Sequence, residues 1–433
     1  TADAAVAYTL NAGAGDDRVT TAGNITAADT FNGGDGTDTL ETTTALTNAL
    51  VARLSGFEIL DIGGSANVTH DLGDFTGLTI LEVDGAATGG GGDTIITDLV
   101  ETATVRINAA LGDGLVINQA NSGLGSPSDT MTVAFANQTA VTTGQELEID
   151  SIETISLTST SSGTNITHTL SDLQADSARA LNIEATSADL TITNISDAAS
   201  LVSIDVSAST GDVSISTDDT FTAAFLYTSG QGEDAFVATG ATIAAGTTYD
   251  VSTGNDTITF EAAGVATEIQ TSATVAANAF EVATFVSTED EIDYNGALNN
   301  DANTGAVATG GATLTASVAA DADATVHVVT LAAAVAALET ATDAWLAAKT
   351  AANADALEAA FGAAISLGTL DTTFTASESV LIAIDNDSAG TAGNDTVIMR
   401  FTNTTATGNA FDAGELELIG VVTDLLVVAG DFA

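Results

Sequence analysis

The segment GGDGTDTLE, residues 33–41, sets Gly33, Gly34 and Gly36 around Asp35 and Asp38 and ends on Leu40. It fits the nonapeptide GGxGxDxUx, where U is a large apolar residue, at every specified position. Glycines permit the positive-φ backbone that turns carbonyl oxygens inward, the aspartate adds a carboxylate, and burial of the apolar residue anchors the loop. Hard oxygen donors of this kind suit Ca²⁺, which takes roughly six to eight of them in flexible geometry. The same residues also suit an ordinary tight turn, with Asp bonding its own backbone.

Five further segments approach the pattern. AGAGDDRVT (12–20) keeps Gly13, Gly15 and Asp17. SGQGEDAFV (229–237) keeps Gly230, Gly232, Asp234 and Phe236, and STGNDTITF (252–260) keeps Gly254, Asp256 and Ile258. The half-matches TGGGGDTII (88–96) and GTAGNDTVI (390–398) contribute Gly91 with Asp93 and Gly393 with Asp395. An ion held between two turns needs a motif on both, which holds for 12–20 with 33–41 and for 229–237 with 252–260. The copies at Asp93 and Asp395 stand alone.

These turns must be placed by strands. Segment 12–20 aligns with 33–41 at an offset of 21, setting Asp17 on Asp38 and Val19 on Leu40; Leu60 and Leu81 follow at steps of 20 and 21. Ile183 and Ile204 are again 21 apart, and Phe236 and Ile258 are 22 apart. Short alternating runs such as VRIN, IETISL, LNIEA, LTIT, VSIDVS and DVSIS are separated by Gly, Asn, Asp, Ser and Thr turns. A stacked rung of about twenty residues is the signature of a parallel β-solenoid, in an all-β chain. Immunoglobulin-like sandwiches share the short strands but need no fixed offset, and the single Trp, Trp345, lies outside the strand-rich region.

The expected organisation is a solenoid over 1–325, an Ala-rich helix or helical hairpin within 326–365, and a β segment over 366–433. Leu331, Val335, Leu338, Trp345 and Leu346 recur at helical spacing, with a turn expected at TAANAD (350–355).

On the nonapeptide motifs and the solenoid texture, the sequence resembles the RTX proteins, calcium-binding repeat proteins exported by type I secretion, and in particular their Ca²⁺-dependent S-layer members. The resemblance implies a β-roll with ions between successive turns, and Asp17, Asp38, Asp234 and Asp256 with their glycine carbonyls as ligands. It departs from the family in one respect: motifs recur once per rung rather than in tandem, so ions would line one edge. FDAGELELIGVV (411–422) and DLLVVAGDFA (424–433) are similar to the ends of type I secreted surface proteins. The start, TADAAVAYTL, has neither an initiator Met nor a signal peptide, so a processed piece or C-terminal portion is expected.

Composition narrows the function. Asp and Glu number 59 against six Lys and Arg, a formal charge of −53. Self-repulsion on that scale calls for bound cations or salt. Arg18, Arg53, Arg106, Arg179, Lys349 and Arg400 are scattered, which argues against nucleic-acid binding and against β-helix enzymes acting on anionic polysaccharides. Without cysteine there are no disulfides, thiolate sites or cysteine nucleophiles. No apolar run long enough for a membrane span occurs. His70, His168 and His327 lie far apart and are expected as strand or surface residues.

The expectation is therefore a secreted, non-enzymatic structural protein at the cell surface that binds Ca²⁺ and associates with copies of itself, with a cell-surface glycan as a further possible partner. A calcium-dependent adhesin or biofilm-matrix protein is the alternative.

Overall fold

A computed structural model describes residues 7–21, 25–63, 68–84, 92–111, 114–120, 129–137, 140, 142–221, 223, 225–238, 247–251, 256–259, 267–271, 280–283, 291–293, 308–310, 326–330, 335–348, 350–364, 379–385, 395–402 and 415–423. The chain divides into two compact units, Thr1–Ala223 and Ala224–Ala433. Short strands in parallel sheets form a β-solenoid, as the rung spacing predicts.

In the first unit one sheet runs through Arg18–Thr20, Thr39–Thr42, Ile59–Gly63, Ile80–Asp84, Thr104–Ile107, Thr130–Phe135, Thr154–Ser159, Ala180–Ala185 and Ser203–Asp205, all parallel. A second runs through Thr69–Asp71, Thr94–Leu99, Leu115–Gln119, Thr142–Asp150, Thr167–Gln174, Asp189–Ile192 and Val213–Thr217. A small third sheet joins Thr9–Ala14, Thr30–Asp35 and Leu54–Ser55.

Period-2 alternation turns every second side chain inward. Parallel stacking then lines up equivalent positions: Val19, Leu40, Leu60, Leu81, Val105, Val133, Leu157 and Ile183 form one cross-strand row. From Leu40 onward this row is buried. Each such side chain contributes about 1.5–3 kcal/mol on burial. Leu115, Leu147, Leu173 and Ile195 make the matching row of the second sheet.

The rungs are less uniform than a fixed offset implies. Partners lie 20 or 21 residues apart up to Leu81, whereas Val105 meets Val133 and Leu157 meets Ile183 across longer turns. Ile204 accordingly pairs with Leu181 rather than Ile183, because the intervening rung spans 23 residues. Phe236 does pair with Ile258.

The second unit carries rungs of the same kind: Leu226–Thr228, Thr247–Val251, Thr267–Thr271 and Glu291–Asp293 on one sheet, and Ala235–Ala238, Thr257–Thr259 and Phe280–Ala283 on the other. Leu416–Thr423 extends this second sheet in parallel, then pairs antiparallel with Thr396–Thr402, which pairs antiparallel with Ser379–Asp385. The helical region begins later than 326, since the β-branched run Val326–Thr330 is a strand parallel to Ser379–Asp385. Helices Ala336–Ala347 and Ala351–Ala364 follow. The first ends at Ala347 and the second begins at Ala351, so they part just ahead of most of TAANAD; the Asn353 amide donates to the Ala344 and Ala348 carbonyls at 3.0 and 2.7 Å and ties the helices together. Leu338, Trp345, Leu357 and Phe361 pack on Ile382, Val397, Met399 and Leu418 of the antiparallel sheet.

His70 and His168 are strand residues of the core rather than the surface. His168 stacks on Phe135 with ring centroids 5.9 Å apart. His70 takes the inward position in line with Ile96, Ile117 and Ile149, and neither ring nitrogen has a hydrogen-bond partner. Burial pushes its imidazolium down to about 4. An unfolded histidine takes up its proton below about 6.5, so stability at this site is lost as pH falls from there toward 4.

Two outcomes test this architecture by urea unfolding. Leu60→Ala should cost about 2–5 kcal/mol, whereas Ile80→Thr, on the outer face of the same sheet, should cost well under half as much. His70→Leu should be more stable than the parent by a margin that widens between pH 6.5 and 4; a constant margin would exclude a neutral core histidine.

Candidate metal centre

The first corner is built by two stacked turns. Gly13, Gly15, Gly34 and Gly36 hold φ of +117°, +112°, +119° and +147°. The inner pair needs glycine for a second reason. A Cβ on Gly34 would lie 1.8 Å from the Gly13 carbonyl oxygen, and one on Gly36 would lie 2.3 Å from that of Gly15. A Cβ on Gly33 would meet the Gly56 carbonyl at 1.9 Å and Asp38 Oδ2 at 2.7 Å.

The aspartates then form a ladder along the stack. The Asp17 N–H donates to Asp38 Oδ1 at 2.8 Å, and the Asp38 N–H donates to Glu58 Oε2 at 2.9 Å. Backbone bonds lock the same residues: Thr39 N–H to the Asp17 carbonyl at 2.8 Å, and Ile59 N–H to the Asp38 carbonyl at 3.0 Å. Each acid thus reaches back to the amide of the acid one rung earlier, a charge-assisted bond of the stronger kind. Glu58 was not among the sequence candidates; its position 20 residues after Asp38 was the available signal. Asp35 is exposed, and its carbonyl accepts the Gly15 N–H at 2.8 Å.

Two oxygens remain over. Asp17 Oδ2 and Asp38 Oδ2 are buried without a hydrogen-bond donor, and Asp38 has no exposed surface. A buried carboxylate oxygen left unpaired costs about 1–3 kcal/mol or more. Among the described residues no three carboxylates or imidazoles converge to hold a metal ion. The side chains at this corner therefore fit a cation by charge and by unsatisfied acceptors, with carbonyl and water oxygens required to complete a shell.

The second corner repeats the plan and closes it differently. The Asp234 N–H donates to Asp256 Oδ1 at 3.0 Å, and Thr257 N–H donates to the Asp234 carbonyl at 2.8 Å. Here the carboxylates find donors of their own: Ser229 Oγ–H to Asp256 Oδ2 at 2.8 Å and Gly230 N–H to Asp234 Oδ2 at 2.6 Å. Both aspartates, Gly230 and Gly232 are buried. Burial pushes the Asp256 carboxyl up to about 7, aided by the Asp234 and Glu233 charges and opposed by the two donors. The Tyr227 hydroxyl beside them is buried without a partner and held well above its usual range by burial and by the Asp234 and Asp256 charges. Protein donors, with a raised proton affinity at Asp256, thus meet most of the need that stays open at Asp17 and Asp38.

Asp93 lies beside Gly114 of the next rung, where Thr94 N–H donates to the Gly114 carbonyl at 2.9 Å; its Oδ1 lies 2.5 Å from where a Gly114 Cβ would be. It adds to the acidic field of Glu146 and Asp150 that, after burial, raises the Glu148 carboxyl. Asp395 directly precedes the antiparallel strand Thr396–Thr402. Gly91, Gly254 and Gly393 lie outside the described residues.

Acids elsewhere serve the stack in the same manner rather than only coating its surface. Tyr8 N–H donates to Asp29 at 2.8 Å, Asp129 N–H to Glu153 at 3.1 Å, and Asp212 N–H to Asp189 at 3.0 Å. On the outer face of the first sheet, Glu41, Asp61, Glu82 and Arg106 stand in one row. Arg18 binds Glu41 and Asp61, and Arg106 binds Glu82 at 2.6 Å. Asp61 is buried, and burial, followed by the Asp84 charge, pushes its carboxyl up to about 6 against the pull of Arg18.

A carboxyl raised in the folded state stabilises fully below its unfolded value near 3.8 and loses that contribution as pH rises through 6. In metal-free buffer the parent should therefore gain stability relative to Asp61→Asn as pH falls from 7.5 to 4.5, read by thermal melts; parallel curves would remove Asp61 as a buried proton site. Comparison with protein-family models and with curated proteins finds no match to this chain.

Proposed function

We propose that the chain is a cation-stabilised structural protein whose solenoid assembles with copies of itself into a calcium-dependent surface layer outside the cell. The observation that carries this reading is the pair of buried, unpaired carboxylate oxygens on Asp17 and Asp38 in successive glycine turns. Two like charges forced together by stacking are a standing cost that a divalent cation would offset. Asp17 and Asp38 would hold the ion, and Gly13, Gly15, Gly34 and Gly36 would let the rungs approach closely around it. The ion would supply charge neutralisation and rigidity, with no bond made or broken.

Support also comes from the charge of −53, which disfavours compaction until cations or salt screen it. Resemblance to the RTX surface-layer proteins points the same way and supplies the extracellular setting, where calcium is plentiful.

Calorimetric melts with and without Ca²⁺ test the reading. Ca²⁺ should raise the melting temperature of the parent, and Asp17→Asn with Asp38→Asn should abolish most of the rise. Asp256→Asn should leave it largely in place, since that corner has its own donors. A parent protein whose melting and assembly ignore both Ca²⁺ and chelator would overturn it.

A further inference from the structure

The acid ladder at the first corner does not stop at the second rung. Gly56 holds φ of +63° two residues ahead of Glu58, as Gly15 and Gly36, also at positive φ, stand two residues ahead of Asp17 and Asp38. The nonapeptide is absent from this third rung, yet its turn is stacked on the one before. Leu54 and Ser55 pair with Phe31 and Asn32, the Glu58 N–H donates to the Asp38 carbonyl at 3.1 Å, and Glu58 Oε2 accepts the Asp38 N–H at 2.9 Å. The next rung ends the series. Thr79 takes the place of the acid, and its N–H and hydroxyl both donate to the Glu58 carbonyl, at 2.8 and 3.0 Å.

Asp38 Oδ2 shares its surroundings with the third rung. It lies 2.7 Å from the point that a Gly33 Cβ would occupy, and the Gly56 carbonyl oxygen lies 1.9 Å from the same point. The missing side chain at Gly33 lets a carboxylate oxygen and a carbonyl oxygen of adjacent rungs converge. No protein donor reaches Asp38 Oδ2, and Asp38 has no exposed surface through which bulk water could solvate it. We propose that the third rung completes a second cation position one step along the stack, with Asp38, Glu58 and the Gly56 carbonyl as its protein oxygens. The inference rests on the cation reading above and adds a site outside the repeated motif. Asp17 and Asp38 hold one ion, Asp38 and Glu58 hold the next, and Thr79, with no carboxylate, closes the row. Each position has two carboxylates, in keeping with the lack of a three-acid cluster among the described residues. Carbonyl and water oxygens make up the roughly six to eight that Ca²⁺ takes.

Calcium titration of the 433-residue chain by isothermal calorimetry, counting bound ions, tests the second position. Asp17→Asn and Glu58→Gln should each lower the count by one relative to the parent, and Asp38→Asn by two, because Asp38 serves both ions. Gln keeps an acceptor for the Asp38 N–H, so Glu58→Gln should melt like the parent in chelator. Glu58→Asp, which sets the acid of the two earlier rungs on the third, should keep the ion. Hydrogen exchange gives a second reading on the parent alone: Ca²⁺ should slow the amides of 56–58 as well as those of 34–38. A Glu58→Gln count equal to the parent's, an Asp38→Asn loss no larger than that of Asp17→Asn, or unchanged exchange at 56–58 would overturn the second position. If Asp17→Asn still loses its ion in that case, the calcium reading stands without it; a parent that binds no Ca²⁺ would reject both.

Discussion

Parallel stacking sets successive rungs about 4.8 Å apart and governs both the core and the charge of this protein. It places equivalent residues of successive rungs in contact. For Leu40, Leu60 and Leu81 that is favourable, since an apolar row becomes a continuous core. For aspartates it is not, because like charges are brought together where water is excluded. A chain with 59 acids and six Lys and Arg can stack only if each acidic column is neutralised or hydrogen-bonded.

The solution differs from column to column. Asp38 and Glu58 accept backbone amides from the preceding rung, so part of the negative charge is spent on donors that a turn would otherwise leave unsatisfied. Glu41, Asp61 and Glu82 are bracketed by Arg18 and Arg106. Asp256 is met by Ser229, by the Asp234 amide and by a raised proton affinity. Among the described residues, Asp17 and Asp38 are the motif aspartates that keep buried oxygens without donors. The same motif thus makes corners with different needs, and its presence on two rungs does not by itself say which corner needs a cation.

Much of the fold was legible because one signal repeats. The offset near 21 put Val19, Leu40, Leu60 and Leu81 in the row they occupy, and the same logic paired Phe236 with Ile258. It failed at Ile183 and Ile204, because a solenoid fixes the positions of its strands and leaves turn length free. The start of the helical region was misplaced for a related reason: Val326–Thr330 adjoins an Ala-rich run, and only pairing with Ser379–Asp385 decided for strand. Glu58, Arg18 and Asp61 gave no local signal, since their roles arise between rungs.

The strand-and-turn period, the inward apolar positions and the glycine–aspartate turns are legible along the chain, because alternation and positive φ are local demands written residue by residue. Which carboxylate meets a donor, which meets an arginine and which is left open emerges only once the rungs are stacked. Those outcomes depend on the register between strands about twenty or more residues apart, and on burial that no single rung can create.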